Sequence, residues 1–291
     1  MMSPRNPIQI SSIVGGSRMM SPKQLMTTIL VVFSTLSFIK ILLVTRSSAA
    51  SAQHPLRSEW ESGSGNGTAA RTDALAAKEF ALLRSLVAAR APCRLLVFGL
   101  TPQLLALAAV NAGPGAATAF LTDIAEDADA ARRVLAGRVG GSSAAVHRAK
   151  YPDAAGEAWE LLRRARAAGP ACVRPTGTVR KSGCPLALTS LPREVLDARW
   201  DVVVVDGPSG AGTGEPGRMG AIYTAAALAR AGGGEVDVAV HDVHRTVEQW
   251  YAREYLCEDN LVAAKGHLWH FRIGAGAPKD AFCSAIPVQI L

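Results

Sequence analysis

Four consecutive valines, Val202–Val205, stand between Asp201 and Asp206 in the stretch DVVVVD. A strand with one wet face alternates apolar and polar residues. An unbroken β-branched run is what a parallel strand covered on both faces requires. Such sheets need helical crossovers, so the rest of the chain should alternate strands with helices.

The pattern along the chain meets that requirement. Asp73 to Arg90 carries Leu75, Phe80, Leu83, Leu86 and Val87 at helical spacing and is stopped by Pro92. Arg94 to Gly99 is a short apolar run ending in glycine, the first buried strand. Pro102 to Val110 is helical, Ala117 to Asp123 is the second strand, Ala144 to Ala149 a weaker third, and Ala154 to Ala168 a helix. After Asp201–Asp206 come a helix over Gly220–Arg230, a strand over Val236–Asp242 and a helix over Arg245–Leu256. Leu261–Ala264 and Leu268–Ile273 follow, joined by Lys265-Gly266-His267 as a closing hairpin. The expected fold is a doubly wound, mostly parallel α/β sheet. Its C-terminal antiparallel hairpin separates the methyltransferase variety from the nucleotide-binding dehydrogenase variety.

The segment before this domain has another character. Leu25–Val44 is apolar apart from Ser, Thr and Lys40. At 1.5 Å per residue, ~20 residues cross a ~30 Å hydrocarbon core, and Lys40 can snorkel from the far end. Arg5, Arg18 and Lys23 precede it without an acid, which places residues 1–24 in the cytosol. Residues 45–72 are a Ser-, Gly- and Ala-rich stem with a glycosylation sequon at Asn66-Gly67-Thr68. The domain proper is 73–291. A cleaved signal peptide is the alternative, with Ser47–Ala52 as the small-residue site. A peripheral helix would need charges along one face, which are absent.

The charge balance is 31 Lys and Arg against 24 Asp and Glu, net +7. A basic surface favours an anionic polymer. No zinc-finger spacing, aromatic RNP strand or long basic run supports nucleic acid as that polymer, and an ordinary surface excess of arginine is the alternative reading. The five cysteines form no CxxC, which removes a zinc site. In a lumenal domain, Cys172 with Cys184 and Cys257 with Cys283 are the expected disulfides, with Cys93 free. In a reducing compartment all five would be buried thiols.

Ligands of open α/β sheets bind outside the carboxyl ends of the strands. Gly99, after strand one, lets a cofactor approach the backbone and leads into a helix N-terminus. The full GxGxxG fingerprint is missing, which argues against a nicotinamide enzyme. Asp123, at the end of strand two, can accept the hydroxyls of a ribose, or serve as a first-turn acid of the following segment. Asp206 tips the all-valine strand, where an unpartnered carboxylate is costly. Arg218 follows the glycine-rich loop and can pair with a carboxylate such as that of a uronic acid. His241 and Asp242 end strand five. With Asp206 they could hold a divalent metal or take a proton from a hydroxyl. His267 and His270 read as structural or rim residues.

These residues carry a resemblance. APCRLLVFGL (91–100), CPLAL (184–188), WDVVVVDGP (200–208), PGRMGAIYTAAALAR (216–230), VHDVHRTVEQWYAREYLCEDNLV (240–262) and LWHFRI (268–273) resemble a plant polysaccharide-biosynthesis domain family. That family contains glucuronoxylan 4-O-methyltransferases, arabinogalactan O-methyltransferases and irregular-xylem-type xylan assembly proteins. The resemblance implies a single-pass type II Golgi membrane protein with a lumenal domain. It implies S-adenosylmethionine as cofactor, bound at Gly99 and around Asp123. It further implies a catalytic or substrate region at Asp206, Arg218 and His241-Asp242, facing a glucuronoxylan or arabinogalactan acceptor. Two positions depart from the enzymatic pattern: Thr101 stands where a second glycine is usual, and Thr122 where an acid pair begins. Asp206-Gly207-Pro208 is closer to the xylan assembly branch. A non-catalytic assembly protein is therefore the second expectation.

Overall fold

A computed structural model describes residues 74–136, 143–175, 178–278 and 280–283. The expected tail, membrane segment, stem and sequon lie outside these residues. Among the described residues no helix is long and apolar enough to cross a membrane.

The elements are α1 (Ala77–Arg90), β1 (Arg94–Phe98), α2 (Pro102–Val110), β2 (Ala117–Thr122), α3 (Ala125–Ala136), β3 (Ser143–Arg148), α4 (Ala158–Ala167) and the short α5 (Pro170–Val173) and α6 (Arg193–Leu196). Then come β4 (Val202–Val205), α7 (Met219–Ala231), β5 (Val236–Val240), α8 (Thr246–Leu256), β6 (Leu261–Lys265) and β7 (Leu268–Ile273). The sequence pattern does not mark α5 and α6, which are single turns. It marks α3 only by its acidic first turn, because that helix buries just Ala128 and Ala131.

One seven-stranded sheet runs β3-β2-β1-β4-β5-β7-β6. β1 to β5 are mutually parallel, whereas β7 is antiparallel to both β5 and β6. This is the methyltransferase-like arrangement, with the hairpin inserted against β5. The valine run explains the layers. Val203 and Val205 face one core with Leu96, Phe98, α7 and Tyr251 and Tyr255 of α8. Val202 and Val204 face the other, with Leu95, Val97 and the apolar sides of α1 and α2. All four valines are fully buried, each contributing roughly 2 kcal/mol of hydrophobic stabilisation. Helix α7 is buried along nearly its whole length, and its alanines let it lie close on the sheet.

Two disulfides, Cys172–Cys184 and Cys257–Cys283, tie loops to this frame, and Cys93 is a buried thiol. At the amino end of β5, Asp237 accepts hydrogen bonds from His270 (2.7 Å), Arg272 (2.9 Å) and Arg90 (2.7 Å). That network gives His270 its structural place.

Candidate active site

The sheet reverses its winding between β1 and β4, so the crevice opens at the carboxyl ends of these two strands. Here the chain crosses itself at two glycines. Gly99 has φ +118°, and a Cβ on it would come within 2.8 Å of the Asp206 backbone. A Cβ on Gly207 would come within 2.6 Å of Gly99 Cα. Gly99 is therefore required first by this crossing, which locks the tip of β4 against the tip of β1. The Asp206 N–H bonds Phe98 O at 2.8 Å and fixes where the carboxylate starts.

From that tip Asp206 meets its neighbour on β5. Strands β4 and β5 pair in register, and Asp206 Oδ1 lies 2.8 Å from His241 Nδ1. Asp242 Oδ1 is 3.5 Å from the same nitrogen. On the other side of the ring, His241 Nε2 is 3.3 Å from Glu79 Oε2. Burial disfavours the imidazolium, but the hydrogen bond and charge of Asp206, with Asp242 behind it, outweigh that and raise the His241 pKa above 6.5. Glu79 is itself anchored, accepting from Ala76 N and His267 N at 2.7 Å each. Burial raises its pKa, yet these backbone donors and His241 bring it below the ordinary value.

Arg218 lies elsewhere than the sequence places it. Rather than facing an acceptor, it is 2% exposed. Its Nε donates to Pro208 O at 2.7 Å, and its terminal nitrogens reach His241 O and Ser209 O. It also lies 2.8 Å from Asp242 Oδ2 and 3.6 Å from Asp206 Oδ1. This corrects the expectation of a direct uronate contact: Arg218 clamps the loop after β4 to the two strand-tip carboxylates. Arg245, 3.1 Å from Asp242 Oδ2 and donating to Ser209 O, braces the same loop. Burial pushes the nearby Glu248 carboxyl up.

The cluster is strained and incompletely bonded. Asp242 has φ +61°, a left-handed backbone that costs a non-glycine residue roughly 1 kcal/mol or more. Its Oδ2, although close to two guanidinium groups, receives no aligned hydrogen bond, and neither does His241 Nε2. Asp206, His241 and Asp242 bring ligand-type atoms within 4.8 Å of one another. Two carboxylates and an imidazole are a donor set of the kind that holds a divalent cation, and Arg218 pairs with both carboxylates from one side. Asp242, His244 and His267 form a second such group, with the two imidazoles stacked at 3.8 Å between centroids.

On the far side of the crevice, Asp123 follows β2 half-buried, and among the described residues its carboxylate has no hydrogen-bond partner. Ile124 beside it is exposed. The Tyr151 hydroxyl is buried and unpartnered, and burial, then the Asp123 charge, push its pKa well up. A free carboxylate and an orphaned hydroxyl suit the ribose and amino groups of a nucleoside cofactor. Thr101 caps α2, its Oγ1 accepting from Leu104 N at 3.2 Å, so that N–H is already taken. Glu79, Tyr151, Arg245 and Glu248 are the residues the sequence does not single out. Only Glu79 carries a signal, as a charge on the buried face of a helix.

The sequence profile described as IRX15/IRX15L/GXM matches residues 78–271. Arabinogalactan O-methyltransferase 2 of Arabidopsis thaliana is 39% identical over 216 residues, 71% of this chain and 71% of that protein. Glucuronoxylan 4-O-methyltransferase 1 of the same plant is 36% identical over 198 residues, 67% of this chain and 66% of that one. Protein IRREGULAR XYLEM 15, also from Arabidopsis thaliana, is 39% identical over 192 residues, 62% and 54% of the respective chains.

Proposed function

Because the chain belongs to the IRX15/IRX15L/GXM family, we propose that it is an S-adenosylmethionine-dependent O-methyltransferase of plant cell-wall synthesis. Its acceptor is a glucuronic acid side group of glucuronoxylan or arabinogalactan. The observation that carries the reading is the pairing of Asp206 with His241 at the carboxyl edge, beside the β1/β4 switch point, in a chain whose relatives bear methyltransferase names.

When bound, S-adenosylmethionine supplies the electrophilic methyl group. Asp123 would hold its ribose, and Tyr151 would donate to a polar group beside it. Methyl transfer then needs the acceptor oxygen in line and its proton removed. Asp206 takes that proton. His241 orients the Asp206 carboxylate through Nδ1, and Arg218 fixes the loop from Gly207 to Gly217 that covers the acceptor. A divalent metal, where the reaction uses one, would be held by Asp206, His241 and Asp242.

We place the protein in the Golgi membrane, anchored by residues 25–44, with residues 73–291 in the lumen. The two disulfides support an oxidising compartment. Protease protection of the domain in sealed Golgi vesicles tests this; digestion without detergent would put the domain on the cytosolic side.

A non-catalytic assembly role is the second reading. It is favoured by Thr101, whose hydroxyl takes up a helix N–H at the crevice, and by an identity to Protein IRREGULAR XYLEM 15 equal to that with Arabinogalactan O-methyltransferase 2. Calorimetric titration of the purified protein with S-adenosylmethionine separates the two. Saturable binding weakened by Asp123→Ala supports the enzyme. A folded protein that releases no binding heat belongs to the assembly reading.

A further inference from the structure

We infer that Trp159 and Trp250 form a sugar-stacking subsite, which holds a backbone pyranose of the acceptor polysaccharide beside the unit that reacts. The inference rests on the acceptor reading above and extends it from the reacting sugar to the polymer.

Trp159 opens α4 and is 37% exposed, an uncommon position for the largest apolar side chain. Half-buried Trp250, on the outer face of α8, meets it edge to face, with 6.5 Å between centroids and a 77° interplanar angle. Trp159 keeps more than a third of its surface open beside Trp250. A pyranose has an apolar face of C–H groups and a polar rim, so it is matched by an exposed aromatic face with planar hydrogen-bonding groups nearby. Arg163, one turn along α4, is 75% exposed beside Glu160. That surface pair is weak enough to open for a sugar hydroxyl.

The position of the pair ties it to the site. The segment before α4 forms a ledge with the loop after β4: Gly156 N bonds Thr213 O, Ala155 N bonds Glu215 O, and Gly217 N bonds Asp153 O, at 2.8–3.0 Å. Ala154 and Pro216 make a β-bridge in the same ledge. Trp159 follows directly. From the other side, Gly210 of the loop lies against Glu248 and Arg245, and Trp250 is two residues beyond Glu248. The Tyr251 hydroxyl bonds Ala158 O at 2.7 Å and locks α4 to α8. The loop that begins at Asp206 therefore leads on both sides to one rigidly held aromatic pair. The proposed path lays the units next to the one at Asp206 along this loop toward the pair.

The test uses the purified full chain with two probes, oligosaccharides of glucuronoxylan and of arabinogalactan, titrated while tryptophan fluorescence and heat are followed. The bound probe quenches fluorescence, and Trp159→Ala raises its Kd about tenfold, with Trp159→Phe between. Melting temperature and S-adenosylmethionine affinity stay at wild-type values, since Trp159 contributes little to the core. Wild-type Kd in Trp159→Ala for the probe that binds overturns the subsite and leaves the acceptor reading standing. Wild-type protein that binds S-adenosylmethionine but neither probe overturns both. Whichever probe binds identifies the polymer.

Discussion

Strand β5 carries a buried acid–histidine–arginine cluster at each end, and the two are built to opposite specifications. At the amino end, the Asp237 carboxylate is fully buried and saturated by His270, Arg272 and Arg90, all within 2.9 Å. At the carboxyl end, Asp242 sits at positive φ, and its Oδ2 and His241 Nε2 lack aligned partners. The donors are of the same kinds, so residue type does not separate the clusters. Completeness does. A saturated network holds the strand and offers nothing to a ligand. A strained, incompletely bonded one stores free energy that a ligand can release.

The largest effect follows at the saturated end. Asp237→Ala leaves a histidine and two arginines around a buried void and should cost about 3–5 kcal/mol in urea unfolding. A cost under about 1 kcal/mol would mean that the three donors are satisfied by solvent, and the comparison would collapse.

Next comes the carboxyl end. Asp206→Asn should lower kcat roughly 10²–10³-fold while binding S-adenosylmethionine as before. Its cost in stability should be smaller than that of Asp237→Ala, because Arg218 keeps Asp242 and three carbonyls as partners. Full turnover in the variant, with a stability loss equal to that of Asp237→Ala, would make this cluster a second clasp.

A third expectation uses acid. Burial opposes ionisation of Asp237, but His270, Arg272 and Arg90 outweigh it and bring its pKa from 3.8 to about 2. A carboxylate depressed in the folded state stabilises fully above its unfolded pKa and loses that contribution as pH falls through the folded one. The window is thus about pH 4 down to about pH 2, with about 2 kcal/mol at stake. Unfolding free energies of wild type and Asp237→Asn should converge across it. Parallel curves would show that another group carries the acid response.

The comparison also shows how far the sequence reaches. The valine run sets a two-faced strand, and strand tips mark ligand positions, so Asp206, His241 and Asp242 stand together as their places on β4 and β5 require. Arg218 reads wrongly because an arginine at a helix start has the same residue type whether it faces solvent or two buried carboxylates. Its burial follows from the return of the loop over Pro208 and Ser209, which no local pattern encodes. Glu79 escapes notice for a related reason. Its bond to His267 joins residues 188 apart in sequence, across a turn where any side chain on Gly266 would strike the Glu79 carboxylate. His270 reads correctly as structural, although its partner Asp237, an acid inside an apolar strand, gives no sign of whether it serves binding or packing.

The smallest effect bears on what the carboxyl edge can still bind. Thr101, which the sequence reading marks as a departure from the enzymatic pattern, caps α2. Thr101→Ala should cost about 1 kcal/mol, and Thr101→Gly only a few tenths. Both variants free the N–H of Leu104, and the glycine also removes the Cβ beside it. If this edge is a working cofactor site slightly closed by its cap, Thr101→Gly binds S-adenosylmethionine more tightly than wild type, whereas Thr101→Ala gains less. If both variants merely lose their capping free energy and neither binds the cofactor, the orphaned atoms across the crevice answer to some other ligand. Incomplete bonding would then mark a site without identifying its cofactor.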